Sequence, residues 1–415
     1  MSAPRSSRRT FVTAGAAGLL FSSVASPAAA AARGRKRAYV VVVDGCRPDE
    51  ITPTLTPTLA ALRAGGLDHP RATSLPIMET IPNHVMMMTG VRPDRSGVPA
   101  NQIYDRKLRD TRDMDRPRDI RCRTVIGRLN EAGFTTGTVL SKSYLYGIFG
   151  GRATHRWEPQ PIVPVSGHAP DAFTMDATLS MIEKFDPNLV FVNLGDIDRM
   201  GHADETGPLD VRAQRQAALG DTDKQVSRLV DLLKSSGRWK DSVVIVLADH
   251  SMDWSNPDKV ISLTGPLDDD PFLAGKVQIA QNGGADLLYW TGPRADRDRA
   301  VRRMRSIAAG VPGVQAAHDR REGFLGLGPE AGEVVVYCRA GWRFTEPDPS
   351  GNPIPGNHGH PATKPIPFFI GGGHTVVPRR AASSEMARTV DVAPTLAAFF
   401  GLGRPPGGYD GHTRL

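Results

Sequence analysis

Cysteine is scarce. Three in 415 residues (Cys46, Cys122 and Cys338) cannot make a disulfide framework or a thiolate-rich zinc site. In an oxidising compartment two of them could pair, and the sequence does not say which. Aromatic residues amount to 6% and are nowhere interleaved with a one-signed basic stripe, so no nucleic-acid groove is evident. Beyond the N-terminus no apolar run approaches the roughly 20 residues of a membrane helix, which excludes an integral membrane protein. Internal repeats and long low-complexity linkers are missing too. What is present is 40% hydrophobic and 23% charged residues, a globular composition with ample length for a large core.

The formal charge is +7, from 51 basic and 44 acidic residues; losing Arg5, Arg8 and Arg9 by a cut near Ala32 leaves +4. The other arginines are scattered among acids, as from Asp105 to Arg123, in the manner of a solvated, salt-bridged surface. Ser7-Arg8-Arg9-Thr10-Phe11-Val12 opens a small-residue apolar run to about Ala25, and Ser26 to Ala32 offers several Ala-x-Ala cuts. Basic head, short apolar middle and small-residue cut site predict a secretory signal over residues 1–32. The paired arginines resemble the twin-arginine type; an ordinary signal that happens to hold two arginines is the plainer alternative. Both predict a secreted or periplasmic protein. No cysteine lies near the cut, which argues against a lipid anchor.

Short apolar runs predict buried strands at Ala38 to Val43, Thr135 to Leu140, Leu189 to Leu194, Ser242 to Leu247 and Ile366 to Ile370. Helical spacing appears between them at Pro57 to Ala64, Arg123 to Glu131, Asp176 to Lys184 and Gln214 to Lys234. Val/Ile-rich strands alternating with helices predict an α/β fold, a mostly parallel central sheet with helices on both faces. From about Trp254 to Pro355 the rhythm breaks. A helix candidate (Asp296 to Ala309) and strand-like runs (Asp286 to Trp290, Glu333 to Cys338) there predict a small α+β insertion, residues 254–355. The core is then 36–253 and 356–415, closing with a helix candidate at Asp391 to Gly401.

Three of the strands end in chemistry. The first runs into Asp44-Gly45, the Leu189 strand into Gly195-Asp196-Ile197-Asp198 with Gly201-His202 just after, and the Ser242 strand into Ala248-Asp249-His250. Open α/β sheets work beyond the carboxyl ends of their strands, so these residues are delivered to one edge. A single carboxylate at such an end usually only caps a turn; three with adjacent histidines are less easily explained that way. Oxygen and nitrogen donors without thiolate suit Zn²⁺, or Mn²⁺ and its relatives. His358, in Gly356-Asn357-His358-Gly359, is a further candidate, and His360 and His374 lie near the same loops. Pro82 suits a helix's first turn with Thr80 just before it, placing a hydroxyl beside the free N–H groups of a helix start.

Asp44-Gly45, Thr80-x-Pro82-Asn83-His84, Asp198-x-x-Gly201-His202, Asp249-His250 and Gly-x-His358-Gly occur in the order seen in the alkaline phosphatase superfamily. The chain most resembles the nucleotide pyrophosphatase/phosphodiesterase branch, from about Lys36 to the C-terminus, including the closing stretch Thr389 to Leu396. The resemblance implies two zinc ions, one held by Asp44, Thr80, Asp249 and His250 and the other by Asp198, His202 and His358. Thr80 would be the nucleophile, and Asn101 would hydrogen-bond a phosphoryl oxygen. It further implies hydrolysis of phosphodiester or pyrophosphate bonds in a small phosphoester, nucleotides included, through a phosphothreonine.

Two departures bear on specificity. Ile81 follows the nucleophile where nucleotide-cleaving relatives usually carry an aromatic residue, and His358-Gly359 runs into His360-Pro361. Tyr104, Tyr144, Tyr146 and Trp157 remain as stacking candidates. The nearest rival is a phosphomonoesterase on the same scaffold, with Arg47 or Lys142 reading the extra charge. A sulfatase would need Cys-x-Pro-x-Arg, and a metal-dependent mutase a serine at position 80 and a cytoplasmic address. A non-catalytic binding protein would be marked by loss of a metal ligand, and all seven positions hold competent types. The sequence leaves the oligomeric state open.

Overall fold

The computed structural model describes residues 35–160, 162, 167–208, 211–348 and 354–415, so the predicted signal segment lies outside the described residues. The chain supplies β1 (Arg37–Val43), α1 (Pro57–Gly65), β2 (Leu67–Asp68), α2 (Thr80–Thr89), α3 (Val125–Glu131), β3 (Thr136–Leu140) and β4 (His155–Trp157). Then come α4 (Asp171–Phe185), β5 (Leu189–Leu194), α5 (Asp196–Ala203), α6 (Ala213–Ser235) and β6 (Ser242–Leu247). A second sheet follows with β7 (Val277–Asn282), β8 (Ala285–Trp290), α7 (Arg297–Gly310), β9 (Val314–Asp319) and β10 (Val334–Cys338). The chain closes with β11 (Phe368–Gly371), β12 (Ala381–Ala382) and α8 (Val392–Phe400).

Continuous Val/Ile/Leu runs have no polar face to offer water, so their strands are covered on both sides. They form the middle of an eight-stranded sheet, ordered β12-β2-β11-β6-β1-β5-β3-β4. β6, β1, β5, β3 and β4 are mutually parallel, as predicted, while β11 runs antiparallel to β6 and β2. One group of helices, α1, α4 and α6, packs together, and so does a second, α2, α3 and α8. In α6 the buried positions Leu219, Thr222, Val226, Leu229, Val230 and Leu233 recur at three and four residues, one apolar stripe of a surface helix.

α2 is different, with all ten of its residues buried. It starts one turn position earlier than the proline suggested. Glu79 is the extended N-cap and Thr80 already the first helical residue. The helix stops at Gly90, whose φ of 71° suits a residue without a side chain and whose N–H bonds the Met86 carbonyl.

The second sheet, ordered β7-β8-β10-β9, is antiparallel throughout. Its side chains alternate between two cores. Leu287, Tyr289, Val335 and Tyr337 join the main core, whereas Leu288, Trp290, Val334, Val336 and Cys338 meet Ala300, Val301, Met304 and Ala308 of α7. A period of two thus fastens this sheet to the body through one whole face. All three cysteines are free, Cys46 and Cys338 buried. Among the described residues no helix is long and apolar enough to cross a membrane.

Candidate metal centre and active site

Parallel pairing makes the central strands end level. Val42 stands beside both Asn193 and Leu247, so the residues that follow emerge on one edge. Asp44 follows β1, Asp198 sits in the first turn of α5, and Asp249 and His250 follow β6. The N-terminus of α2 brings Thr80 to the same place, its Oγ1 3.2 Å from His250 Nε2.

Two donor groups result. In the first, His250 Nε2 lies 3.8 Å from Asp44 Oδ1 and 3.4 Å from Asp249 Oδ2. In the second, His202 Nε2 lies 3.3 Å from Asp198 Oδ1 and 3.1 Å from His358 Nε2, with His358 Nε2 3.8 Å from Asp198 Oδ1. Donors about 2.0 Å from a tetrahedral ion stand roughly 3.3 Å apart, so each group has the separation a single cation needs. His250 is common ground, because Asp198, His250 and His358 also offer ligand atoms within 4.8 Å of one another.

The polar inventory fits cations. Asp198 Oδ1 and Asp249 Oδ2 are buried and have no hydrogen-bond partner, and Asp44 Oδ1 has only an ion pair with Lys142. Buried carboxylate oxygens are rarely left so. All three imidazoles turn Nδ1 to a main-chain carbonyl. His202 Nδ1 meets Gly356 O at 2.9 Å, His250 Nδ1 meets Ser251 O at 2.9 Å, and His358 Nδ1 meets Met78 O at 3.2 Å. An Nδ1–H donor leaves the Nε2 lone pair facing the cluster. Gly356 is required for this approach, since a Cβ there would come within 2.4 Å of Gly201 O and His202 Cα.

Supporting groups fix the carboxylates, among them Asn193, which carried no signal in the sequence, and Lys142, expected there to read substrate charge. Asn193 donates to Asp44 Oδ2 at 2.8 Å and accepts from Ser141 Oγ at 2.6 Å. Lys142 is fully buried, its Nζ 2.8 Å from Asp44 Oδ1 as an ion pair and hydrogen-bonded to Asp198 Oδ2 at 2.7 Å. Glu79 bridges the two halves, its Oε1 3.1 Å from His358 Nδ1 and its Oε2 accepting from Asn101 Nδ2 at 2.5 Å. Asn101 Oδ1 in turn accepts from the Ile81 N–H at 2.8 Å, which holds its amide against the start of α2. Asn83 works further back, its Nδ2 donating to the carbonyls of Leu75, Ile77 and Glu79 and so stapling the loop that leads into Thr80.

Electrostatically the cluster is short of positive charge. Burial and the neighbouring Asp249 push the Asp44 carboxyl up. Burial also works to raise Asp198, but Lys142 and His202 hold it well below the usual carboxylate range. Burial and the nearby His358 pull His250 down to about 3. Burial would lower His358 as well, yet the Glu79 carboxylate and Asp198 lift it to about 9. A folded value above the ordinary 6.5 means that this imidazolium stabilises the metal-free fold below pH 6.5, a contribution lost as pH rises through about 9. A cation at Nε2 must displace that proton. Zinc titrated into chelator-stripped protein at about pH 7.5 is therefore expected to expel close to one proton from His358. Calorimetry in two buffers of different ionisation enthalpy reads the release, which should shrink as pH approaches 9 and fall by about one proton in His358→Gln. Heat independent of the buffer would contradict it.

The cluster opens into a cavity of about 280 Å³ whose wall includes Glu79, Thr80, Asn101, Asp198, His202 and His358. Tyr144 is the one predicted stacking residue that lines it. Tyr104 packs on Tyr289 with centroids 5.7 Å apart, and Tyr146 and Trp157 pack against the core. Arg47 is paired with Asp49 at 2.9 Å and lines a different cavity. His360 meets Asp253 at 3.2 Å, and His374 lies against Phe399.

Residues 38–361 match the family profile described as type I phosphodiesterase / nucleotide pyrophosphatase. Human ectonucleotide pyrophosphatase/phosphodiesterase family member 5 is 22% identical over 390 residues, 90% of this chain and 76% of that relative. The bis(5′-adenosyl)-triphosphatase of Bos taurus is 25% identical over 242 residues, 55% of this chain and 50% of that relative. Among solved structures, an inactive threonine-to-alanine variant of murine family member 5 in complex with AMP superposes with a TM-score of 0.72. It is 19% identical, and the match covers 89% of this chain and 96% of that one.

Proposed function

The chain belongs to the type I phosphodiesterase / nucleotide pyrophosphatase family, and from that premise we propose that it is an exported two-metal hydrolase that cleaves phosphodiester or pyrophosphate bonds through a phosphothreonine on Thr80. The observation that carries this reading is the Thr80 hydroxyl. It is buried at the first residue of α2, 3.2 Å from His250 Nε2, on the wall of the cavity it shares with Asp198, His202, His358 and Asn101.

Asp44, Thr80, Asp249 and His250 would hold one ion, and Asp198, His202 and His358 the other. Two bound dications, zinc or manganese, would stabilise the Thr80 alkoxide and the charge on the leaving oxygen. Everything else falls to the chain. Thr80 Oγ1, its proton given up to solvent, attacks phosphorus in line, the bond to the leaving group breaks, and the leaving group departs with a proton from solvent. Water then attacks the phosphothreonine, releasing the product and restoring the hydroxyl. The Asn101 amide, with one N–H on Glu79 and its oxygen on Ile81 N–H, keeps its second N–H for a phosphoryl oxygen. Charge supports the stoichiometry. Glu79 and Lys142 cancel, and three aspartates with an ionised Thr80 are neutralised by two dications, which lets a phosphate anion enter.

The two cations weighed for a monoester are turned away from Thr80, which favours the diester. Lys142 is locked between Asp44 and Asp198, and Arg47 faces another cavity, so neither reads a monoester's extra charge. Zinc-loaded protein is expected to show a kcat/KM for bis-p-nitrophenyl phosphate at least about tenfold above that for p-nitrophenyl phosphate at one pH. A ratio below one would assign the monoesterase instead.

A further inference from the structure

Two arginines on the cavity wall have no task in the chemistry above. Arg199 follows Asp198 on α5, and Arg343 lies in the two-residue strand Arg343–Phe344; both line the cavity with Thr80 and Asn101. Arg343 is 5% exposed, yet its Nε and Nη1 have no hydrogen-bond partner. Arg199 Nε is also buried without a partner, and its guanidinium lies over the Tyr144 ring, 5.8 Å from the centroid. Among the described residues the other arginines about as buried as Arg343 are fully engaged, whereas Arg92, Arg212 and Arg320 share with Arg199 a buried Nε without a partner. Arg215 bonds Glu50 and the carbonyls of Gly45 and Ile197, and Arg414 bonds Asp391 and Glu385.

A guanidinium is charged at any working pH, and burying one without an anion is strongly unfavourable. The acids of the same cavity make no ion pair with these two, although Asp198 and Asp44 act on the Arg199 guanidinium from a distance. Glu79 is taken by His358 and Asn101, Asp198 by Lys142 and His202, and Asp113 stands at the exposed rim. Burial accordingly lowers the affinity of Arg343 for its own proton. Its place is outward of the reaction centre. Arg343 also borders an adjoining cavity lined by Ser255, Asn256 and Pro355, which neither Thr80 nor Asn101 reaches.

We propose that Arg199 and Arg343 form a subsite for a second anionic group of the substrate, a phosphate or a carboxylate carried beside the scissile phosphoryl group. The Arg343 guanidinium keeps N–H groups on both Nε and Nη1 free to donate to an oxyanion. The inference rests on the phosphoester-hydrolase reading and narrows its substrates to esters or anhydrides bearing an extra anion, over plain dialkyl or diaryl diesters.

The test uses p-nitrophenyl phosphodiesters with one leaving group and three retained arms: phenyl, 3-carboxyphenyl and 3-phosphonophenyl. Zinc-loaded protein is expected to favour an anionic arm by about tenfold or more in kcat/KM, and the better of the two arms tells carboxylate from phosphate. Arg343→Gln and Arg199→Gln should each remove most of that preference. The unfolding temperature of Arg343→Gln should hold or rise, because no partner is lost. A wild type without preference, or a preference that survives in both variants, overturns the subsite. So does an equal loss on p-nitrophenyl phosphate and the anionic diesters, because the arginines would then be reading the scissile phosphoryl itself. Failure of the hydrolase reading looks different, as no ester would be turned over at all. Binding then decides: Thr80→Ala protein titrated with phosphonoacetate and with methylphosphonate should bind the former about tenfold tighter, and lose the difference when Arg343→Gln is added. Equal affinities overturn the subsite whatever the turnover.

Discussion

Thr80→Ala is expected to lower kcat on bis-p-nitrophenyl phosphate by at least about a thousandfold while leaving the fold intact. The loss is large because the variant removes the atom that forms the new bond to phosphorus, and no other hydroxyl lines the start of α2 inside the cavity. The fold survives because that hydroxyl carries little structure. Its one side-chain bond is to His250 Nε2, whereas the helix start is held by main-chain groups and by Asn83 and Asn101. Alanine is also the better helix former at this position. Thr80→Ser, which keeps the oxygen, should recover a substantial part of the activity. Acid-quenched wild-type protein should retain a phosphoryl label on residue 80 that Thr80→Ala lacks. Near-normal turnover in Thr80→Ala would end the assignment, whatever happened to the label.

The strand ends were legible because two signals coincide there. A continuous Val/Ile run such as Leu189–Leu194 or Ser242–Leu247 cannot face water, so it has to be a central strand, and its last residue fixes where the next carboxylate points. Asp44, Asp198, Asp249 and His250 could therefore be brought to one edge before any coordinates. The outer strands of the second sheet gave no such signal. Val277–Asn282 and Val314–Asp319 are polar on one face and partly exposed, and edge strands of this kind read like loops. The supporting groups were hidden for another reason. Glu79, Lys142 and Asn193 act by filling a partner's valence far along the chain, Asn193 52 residues from Ser141 and Lys142 56 from Asp198. A lone Lys or Asn after a strand carries no periodicity to mark it. Lys142 was weighed as a reader of substrate charge, and its fully buried place between two carboxylates turns that role inward.

That inward role sets the second large effect. Lys142→Gln is expected to cost the chelator-stripped protein about 3–5 kcal/mol of unfolding free energy, the scale for breaking a buried ion pair from one side. Lys142 is the only cation that reaches both Asp44 and Asp198 among the described residues, at 2.8 and 2.7 Å, and Asp44 is already pushed up by burial and by Asp249. The pH dependence has a definite sign. Asp198 titrates well below its ordinary 3.8 in the fold, so the stability it contributes is present above that value and lost as pH falls through its lowered one. The variant's deficit should accordingly be full at neutral pH and shrink in acid, where the unpaired carboxylates take up protons instead. Loading with zinc supplies the missing positive charge, and the deficit should then fall to about 1 kcal/mol, the worth of a single hydrogen bond. Denaturant unfolding of both proteins, stripped and loaded, gives the four free energies needed. An equal deficit in the two states would show that Lys142 fills space rather than balancing charge, and would remove the charge argument for two dications at this site.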